Sequence, residues 1–257
     1  MIGSQTARRI PTLGRRWTLR LACAFAIALS LPSTAGAATD AAAPRVTCAK
    51  PCIVQTRPDI YIDFWGPGWS RDPLGERGYL TAFVRSINGS TWLETLGQYQ
   101  VGWQHTTYKG SWSDPDPSHR PGPNPSHSAT EAEATRAAHH FGVSNDTNVQ
   151  IIIALPYGGT CNPYHDWDAE VGVAFVAYPY NGDPFPNNNG RCAGGAQTVS
   201  HEIAEAMTDP HPFHGYTPEV ADAPCAGQAH NVRMPDGQTF YVQELWSNNA
   251  HGCVLTS

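Results

Sequence analysis

Thr198–Pro212 reads T-V-S-H-E-I-A-E-A-M-T-D-P-H-P. Good helix formers fill it as far as Met207, and Asp209-Pro210 supplies a stop, so the stretch predicts a helix. His201 and Glu205 stand at i and i+4 on one face of that helix, with Glu202 on the flank. This is the spacing of the H-E-x-x-H metal helix with its second histidine replaced by glutamate. Val199, Ile203, Ala204, Ala206 and Met207 give the helix an apolar back, which would hold such a face rigid.

A hydrolytic zinc needs three protein ligands, an open position and a nearby base. His201 and Glu205 would supply two ligands, and Glu202 would take a proton from a metal-activated water. The third ligand must come from downstream. Glu219 is the first choice and Asp222 the second, in a segment P-E-V-A-D-A-P-C that ends at Cys225, with the unchosen acid orienting His201. His211 is the rival, because 201, 205 and 211 repeat the spacing of the longer H-E-x-x-H-x-x-G-x-x-H motif. The glycine of that motif is Thr208 here, and Pro210 constrains the approach. His214 and Tyr216 stand where they could stabilise an oxyanion. A His/Glu/Glu set puts two negative charges on the ion. That weakens its Lewis acidity and makes a harder divalent metal the alternative to zinc. The plain alternative is an ordinary helix capped by Thr198 or Ser200 and ended by Asp209-Pro210.

Other chemistries find less support. The chain has no G-x-S-x-G elbow, and Ser200 beside His201 is an adjacency rather than a triad. Asp166, Asp168 and Glu170 near Trp167 leave paired-carboxylate glycosidase chemistry open, since carboxylate separations do not show in a sequence.

Residues 1–37 carry Arg8, Arg9, Arg15, Arg16 and Arg20 with no acid, then an apolar run Leu21–Leu31 and the small-x-small signal Ala35-Gly36-Ala37. They read as a secretory signal peptide, too short for a stable membrane anchor. The residues around Arg15-Arg16 match a twin-arginine signal poorly. Cleavage would leave eleven basic residues against twenty-two acids, a net charge of about −11. Phosphate neutralisation needs clustered Lys and Arg, so nucleic acid is excluded as a partner. Beyond Cys23, six cysteines remain, and an even number in an exported chain reads as three disulfides. Local pairing would join Cys48–Cys52, Cys161–Cys192 and Cys225–Cys253.

Residues 38–58, Ala- and Pro-rich at their start, read as a flexible leader, and 59–257 as a single domain. Strands are expected at Asp59–Trp65, Val149–Leu155, Glu170–Tyr178 and Gln238–Glu244. Helices are expected at Leu74–Ile87, Thr91–Tyr99 (capped by Thr91) and Ser128–Phe141, the last with Thr130 as cap and Gly142 as stop. His139 and His140, adjacent in that last turn, share no face and suit a helix C-terminus. Residues 100–128 show no regular pattern, and neither does Gly158–Asp168. The order suits an α+β layered domain, a mixed sheet packed against helices and tied by disulfides.

The chain resembles a family of secreted bacterial proteins. Its shared features appear here as Trp65-Gly66, Gly159-Thr160-Cys161, His201–Pro210, Glu219–Cys225 and Trp246–Cys253. More distantly it resembles the plant phosphate-induced/EXORDIUM-like proteins, which carry a comparable H-E-L-A-E element. The resemblance implies a zincin-like metal helix built on His201, Glu202 and Glu205. It favours Glu219 and Asp222 over His211, where members often carry an aromatic residue.

These observations lead to the expectation of a secreted or periplasmic, monomeric, zinc-dependent hydrolase with no membrane span, acting on a peptide or protein. The alternative is a non-enzymatic exported protein that binds peptide or cell-surface glycan through Trp103, Tyr108, Trp112 and Trp167, with any metal structural.

Overall fold

Two strand patterns, alternating Asp59–Phe64 and uniformly apolar Val149–Ala154, sit side by side at the centre of the protein. The structure, a computed structural model, describes residues 45–158, 163–180, 195–222 and 224–256. The expected signal peptide and the Cys161–Cys192 pair lie outside the described residues.

The first elements are β1 (Thr47–Cys48), β2 (Asp59–Phe64), α1 (Glu76–Ser86) and the short α2 (Thr91–Glu94). Next come β3 (Thr107–Ser113), α3 (His127–Phe141), β4 (Val149–Ala154), β5 (Tyr164–Asp168) and β6 (Val173–Tyr178). Helix α4 (Ala196–Thr208) precedes the small strands β7 (Tyr216–Thr217), β8 (Ala229–Arg233), β9 (Thr239–Gln243), β10 (Leu245–Ser247) and β11 (Gly252–Val254). The chain is therefore mixed α+β. Its main sheet runs β3-β2-β4-β6-β5, with β5 antiparallel at one edge and the other four strands parallel.

The side chains explain the layering. Successive strand residues point to opposite faces. Ile60, Ile62, Phe64, Ile152 and Tyr178 face a core shared with α1 and α4, while Ile151, Ile153 and Phe175 face α3. A strand covered on both faces is apolar throughout, and every residue of β4 is buried. Helix α4 is wedged between that sheet and the β8–β9 hairpin, and all its residues except His201 are buried.

Several elements depart from the sequence reading. Residues 45–58 are no flexible leader. Val46 is buried, β1 pairs with β7, and Gln55 N donates to Met207 O at 2.9 Å. Strand β3 lies inside the supposedly patternless 100–128 stretch. Its register slips opposite Ile60/Tyr61, where Gly110 takes φ 144°. The slip breaks the period-two pattern. Tyr108 packs toward the α1/α4 core and Trp112 toward α3, although their even spacing in an unbroken strand would put them on one face. Strand β5 likewise lies within the segment read as a loop, and β8 within the irregular stretch before Met234. The caps also move by a few residues. Ser90 caps α2 and Ser126 caps α3, each through its hydroxyl, and Gly142 ends α3 in the left-handed region (φ 70°) as expected. Thr198 and Ser200 lie inside α4 rather than at its cap.

Cys48–Cys52 and Cys225–Cys253 are disulfides, as the local-pairing argument expects. Among the described residues no helix is long and apolar enough to cross a membrane.

Candidate metal centre

The face of α4 that carries His201, Glu202 and Glu205 opens on a cleft of about 600 Å3. Its walls bring in His165 from β5 and Glu219 and Asp222 from the segment after β7. The spacing of the helix places the first three, the antiparallel edge strand presents His165, and the disulfide at Cys225 ties down the segment of the last two.

Distances within the cluster are short. His201 Nε2 lies 3.1 Å from Glu205 Oε1, 3.8 Å from Asp222 Oδ1 and 3.9 Å from Glu202 Oε1. His165 Nδ1 lies 3.5 Å from Glu205 Oε2 and 3.7 Å from Glu202 Oε2, and its Nε2 is 3.7 Å from Glu219 Oε1. Gln243, at the end of β9, sets its Nε2 2.8 Å from His201 Nδ1 and also donates to Ala221 O. The amide nitrogen donates to Nδ1, so Nε2, the nitrogen facing the acids, carries the proton. An ion on Nε2 would require the amide to present its oxygen to Nδ1 instead. Ser200 Oγ accepts from Gln243 N at 3.0 Å, which pins β9 to α4.

The electrostatics follow from burial and company. Burial alone would lower both imidazoles, but the carboxylates prevail. Glu202 and Glu205, with Glu219, raise His165 to about 10, and Glu205 and Glu202 raise His201 to about 9. Burial would raise Glu205, yet the two histidines hold it at about 2. Glu219 goes up to about 7 through burial and then the charge of Glu205, and Asp222 rises for the same two reasons. Burial also raises Glu202. Carboxylates that hold imidazoles this firmly in the cationic form could equally hold a divalent cation.

The donor set fits a metal. His165 Nε2 is buried and makes no hydrogen bond, and the equally buried Glu205 Oε1 has its contact with His201 Nε2 at 3.1 Å. His165, Glu205 and Glu219 bring one ligand atom each within 4.8 Å of one another, and so do His201, Glu205 and Asp222. Such His/carboxylate sets suit zinc and harder divalent ions.

Not every expected residue reaches the cleft. His211 belongs to neither donor set. Its ring stacks edge-on against His214 at 4.1 Å and lies 5.4 Å from Trp167. His214 Nδ1 is taken up by Pro212 O at 3.1 Å, and the residue does not line the cleft. Tyr216 is a core residue. It is buried against Tyr99, and its hydroxyl accepts from Gln100 Nε2 at 3.0 Å. Neither is placed to stabilise an oxyanion beside Glu202. Asp168 is spent on the β5–β6 turn, where it accepts from Glu170 N, Val171 N and Thr135 Oγ1. The four aromatic residues of the binding alternative pack in three different places. Trp103 and Tyr108 pack on the α1/α4 core, Trp112 on the α3 core and Trp167 beside His211.

His165 is the residue that sequence reasoning missed. Its signal was the short alternation Y-H-D-W-D, which as a strand puts His165 and Trp167 on one face.

The Thr208-Asp209-Pro210 end of the motif has a structural purpose. Thr208 Oγ1 bonds back to Ala204 O, while Asp209 accepts from the backbone N–H of Phe213, His214 and Gly215. A side chain at Gly215 would put its Cβ 2.3 Å from Thr208 O and 2.8 Å from Ile53 O, so only glycine fits this close crossing.

Comparison of the chain with protein-family models, with curated proteins and with solved structures yields no match in any of the three.

Proposed function

We propose that this cleft is the divalent-metal centre of an exported hydrolase on a zincin-like layered fold, with peptide bonds as its substrate class. The observation that carries the reading is the convergence of His165, His201, Glu202, Glu205, Glu219 and Asp222, from three separate parts of the chain, on one open cleft that also carries the paired His127 and Asp166. Glu202 and Glu205, at 6 % and 3 % exposure, stay ionised side by side only with cations to balance them. The two disulfides suit an oxidising compartment.

His201, Glu205, Glu219, Asp222 and His165 are the residues that would hold the metal. When bound, zinc or another divalent ion supplies Lewis acidity toward a carbonyl and a water nucleophile near neutral pH. Glu202 stands in neither donor set, yet lies within 3.9 Å of His201 and 3.7 Å of His165. Its carboxylate is the group that would take a proton from the attacking water and return it to the leaving amine. Pro125, Pro163, Pro212 and the 86 % exposed Phe213 rim the cleft and offer apolar contact to substrate side chains.

The test is Glu202→Gln in the zinc-loaded protein, assayed on a peptide library beside wild type. The reading expects unchanged fold and metal content with turnover reduced at least about 100-fold, the usual worth of a positioned acid–base group. Equal activity in the variant, or a loaded wild type that cleaves nothing, would overturn it.

A further inference from the structure

We propose that the centre holds two divalent cations bridged by Glu205, an inference that rests on the reading of the cleft as a metal centre. The two donor sets, His165/Glu205/Glu219 and His201/Glu205/Asp222, each contain one imidazole and one carboxylate of their own and have Glu205 in common. No set among the described residues contains both histidines, so a single ion would have to leave one of them aside.

Glu205 is divided between its neighbours. Oε1 faces His201 Nε2 at 3.1 Å, and Oε2 faces His165 Nδ1 at 3.5 Å. A carboxylate whose two oxygens serve different donor sets has the shape of the bridging ligand in two-metal sites, where the ions stand about 3.5–4 Å apart. Charge points the same way. Asp166 on the same cleft is paired with His127 at 2.5 Å. The buried Glu202 and Glu205 with the more exposed Glu219 and Asp222 leave four carboxylates whose charge two divalent ions would match. His165 Nε2, buried and without a hydrogen bond, is the nitrogen nearest Glu219 Oε1, at 3.7 Å. Glu202 remains outside both sets, beside both histidines, and keeps its part as proton acceptor.

The experiment counts ions on the full exported chain. Protein is loaded with Zn2+ alone, desalted and analysed for metal, and a parallel Mn2+ sample is examined by electron paramagnetic resonance. The wild type should hold two ions per chain, with the broadened spectrum of a coupled Mn2+ pair. Glu219→Gln and Asp222→Asn should each hold one, with the six-line spectrum of an isolated ion, and Glu205→Gln should hold none. One ion in the wild type, with an uncoupled spectrum, would overturn the two-ion site and leave the hydrolase reading standing. No ion would overturn both. Wild-type count and spectrum decide the question even where a variant fails to fold, which circular dichroism would show.

Discussion

His165 Nδ1 stands 3.5 Å from Glu205 Oε2, tying the antiparallel edge strand β5 to helix α4 at the floor of the cleft. Both side chains are almost completely buried, at 5 % and 3 % exposure, so solvent screens their interaction little. His165→Ala should leave Glu202 and Glu205 without one of their two cationic partners. We expect a loss of about 3 kcal/mol of stability in metal-free protein, the usual result of breaking a buried ion pair from one side. Zinc affinity should fall at least tenfold. Urea unfolding and chelator competition measure the two effects, and a variant as stable as wild type would refute the pairing.

Gln243 acts one step further out. Its amide lies between Ala221 O and His201 Nδ1, so the imidazole is oriented with Nε2 toward Glu205 and Asp222. Gln243→Leu keeps the volume and the backbone bond from Gln243 N to Ser200 Oγ but releases the ring. Partners of metal-binding histidines are worth about 10- to 100-fold in affinity. A drop of that size in zinc affinity is the expected outcome, with a loss of about 1–3 kcal/mol of stability because the buried Ala221 O loses its donor. Unchanged affinity would mean that packing alone orients His201.

The parts of this protein that could be read in advance are those whose pattern is local. The uniformly apolar Val149–Ala154 run, the helical Ser128–Phe141 stretch stopped by Gly142, and the i, i+4 face of His201 and Glu205 each depend on near neighbours in sequence. Strand β3 was illegible because one extra residue at its register slip reverses the facing of Tyr108 and Trp112, which destroys the alternation that signals a strand. Strand β5 was illegible because it is short and its two charged residues look like loop. His165 was lost with it. Residues 45–58 look like an untethered leader, since their strand partner, Tyr216–Thr217, is far along the chain. His214 and Tyr216 were placed by proximity to the motif. The turn organised by Asp209 sets Pro212 and Phe213 on the rim of the cleft and leaves His214 and Tyr216 outside it before Glu219 and Asp222 return to it.

That turn is itself open to test. Asp209 is buried and takes Phe213 N at 2.8 Å, His214 N at 3.2 Å and Gly215 N at 2.7 Å. Asp209→Ala leaves Phe213 N and Gly215 N without a partner, while His214 N keeps His211 O at 2.9 Å. Hydrogen bonds to a charged acceptor are worth about 1.5–3 kcal/mol each. Some of the donors would find water, so we expect a net loss of about 2–3 kcal/mol by calorimetry. Zinc binding should weaken as the segment bearing Glu219 and Asp222 loosens. Asp209→Asn, which keeps the oxygen that accepts from His214 and Gly215, should recover part of both. Equal losses in the two variants would show that the charge, rather than the turn geometry, is what matters.

On the opposite face of the sheet, Asp63 of β2 is completely buried, and neither of its carboxyl oxygens makes a hydrogen bond. Burial drives its pKa well above the usual carboxylate range. The charges of Glu133 on α3 and Asp114 after β3 push it further, and Arg136 on α3 offsets only part of this. His119 is engaged with Asp114 at 2.7 Å, and Arg136 with Glu133, so neither is free to neutralise Asp63. Glu133 is also raised, by burial first. In the unfolded chain Asp63 ionises near 3.8, earlier than in the folded protein. The folded state therefore binds more protons, and the stability associated with Asp63 is full below about pH 4 and declines as pH rises toward the folded pKa. Asp63→Asn removes the ionisation. Its stability should exceed that of wild type at neutral pH. The advantage should shrink as the pH is lowered toward 4. Urea unfolding of both proteins across that range checks the sign, and a wild type that gained stability relative to the variant on going from pH 4 to pH 7 would contradict it.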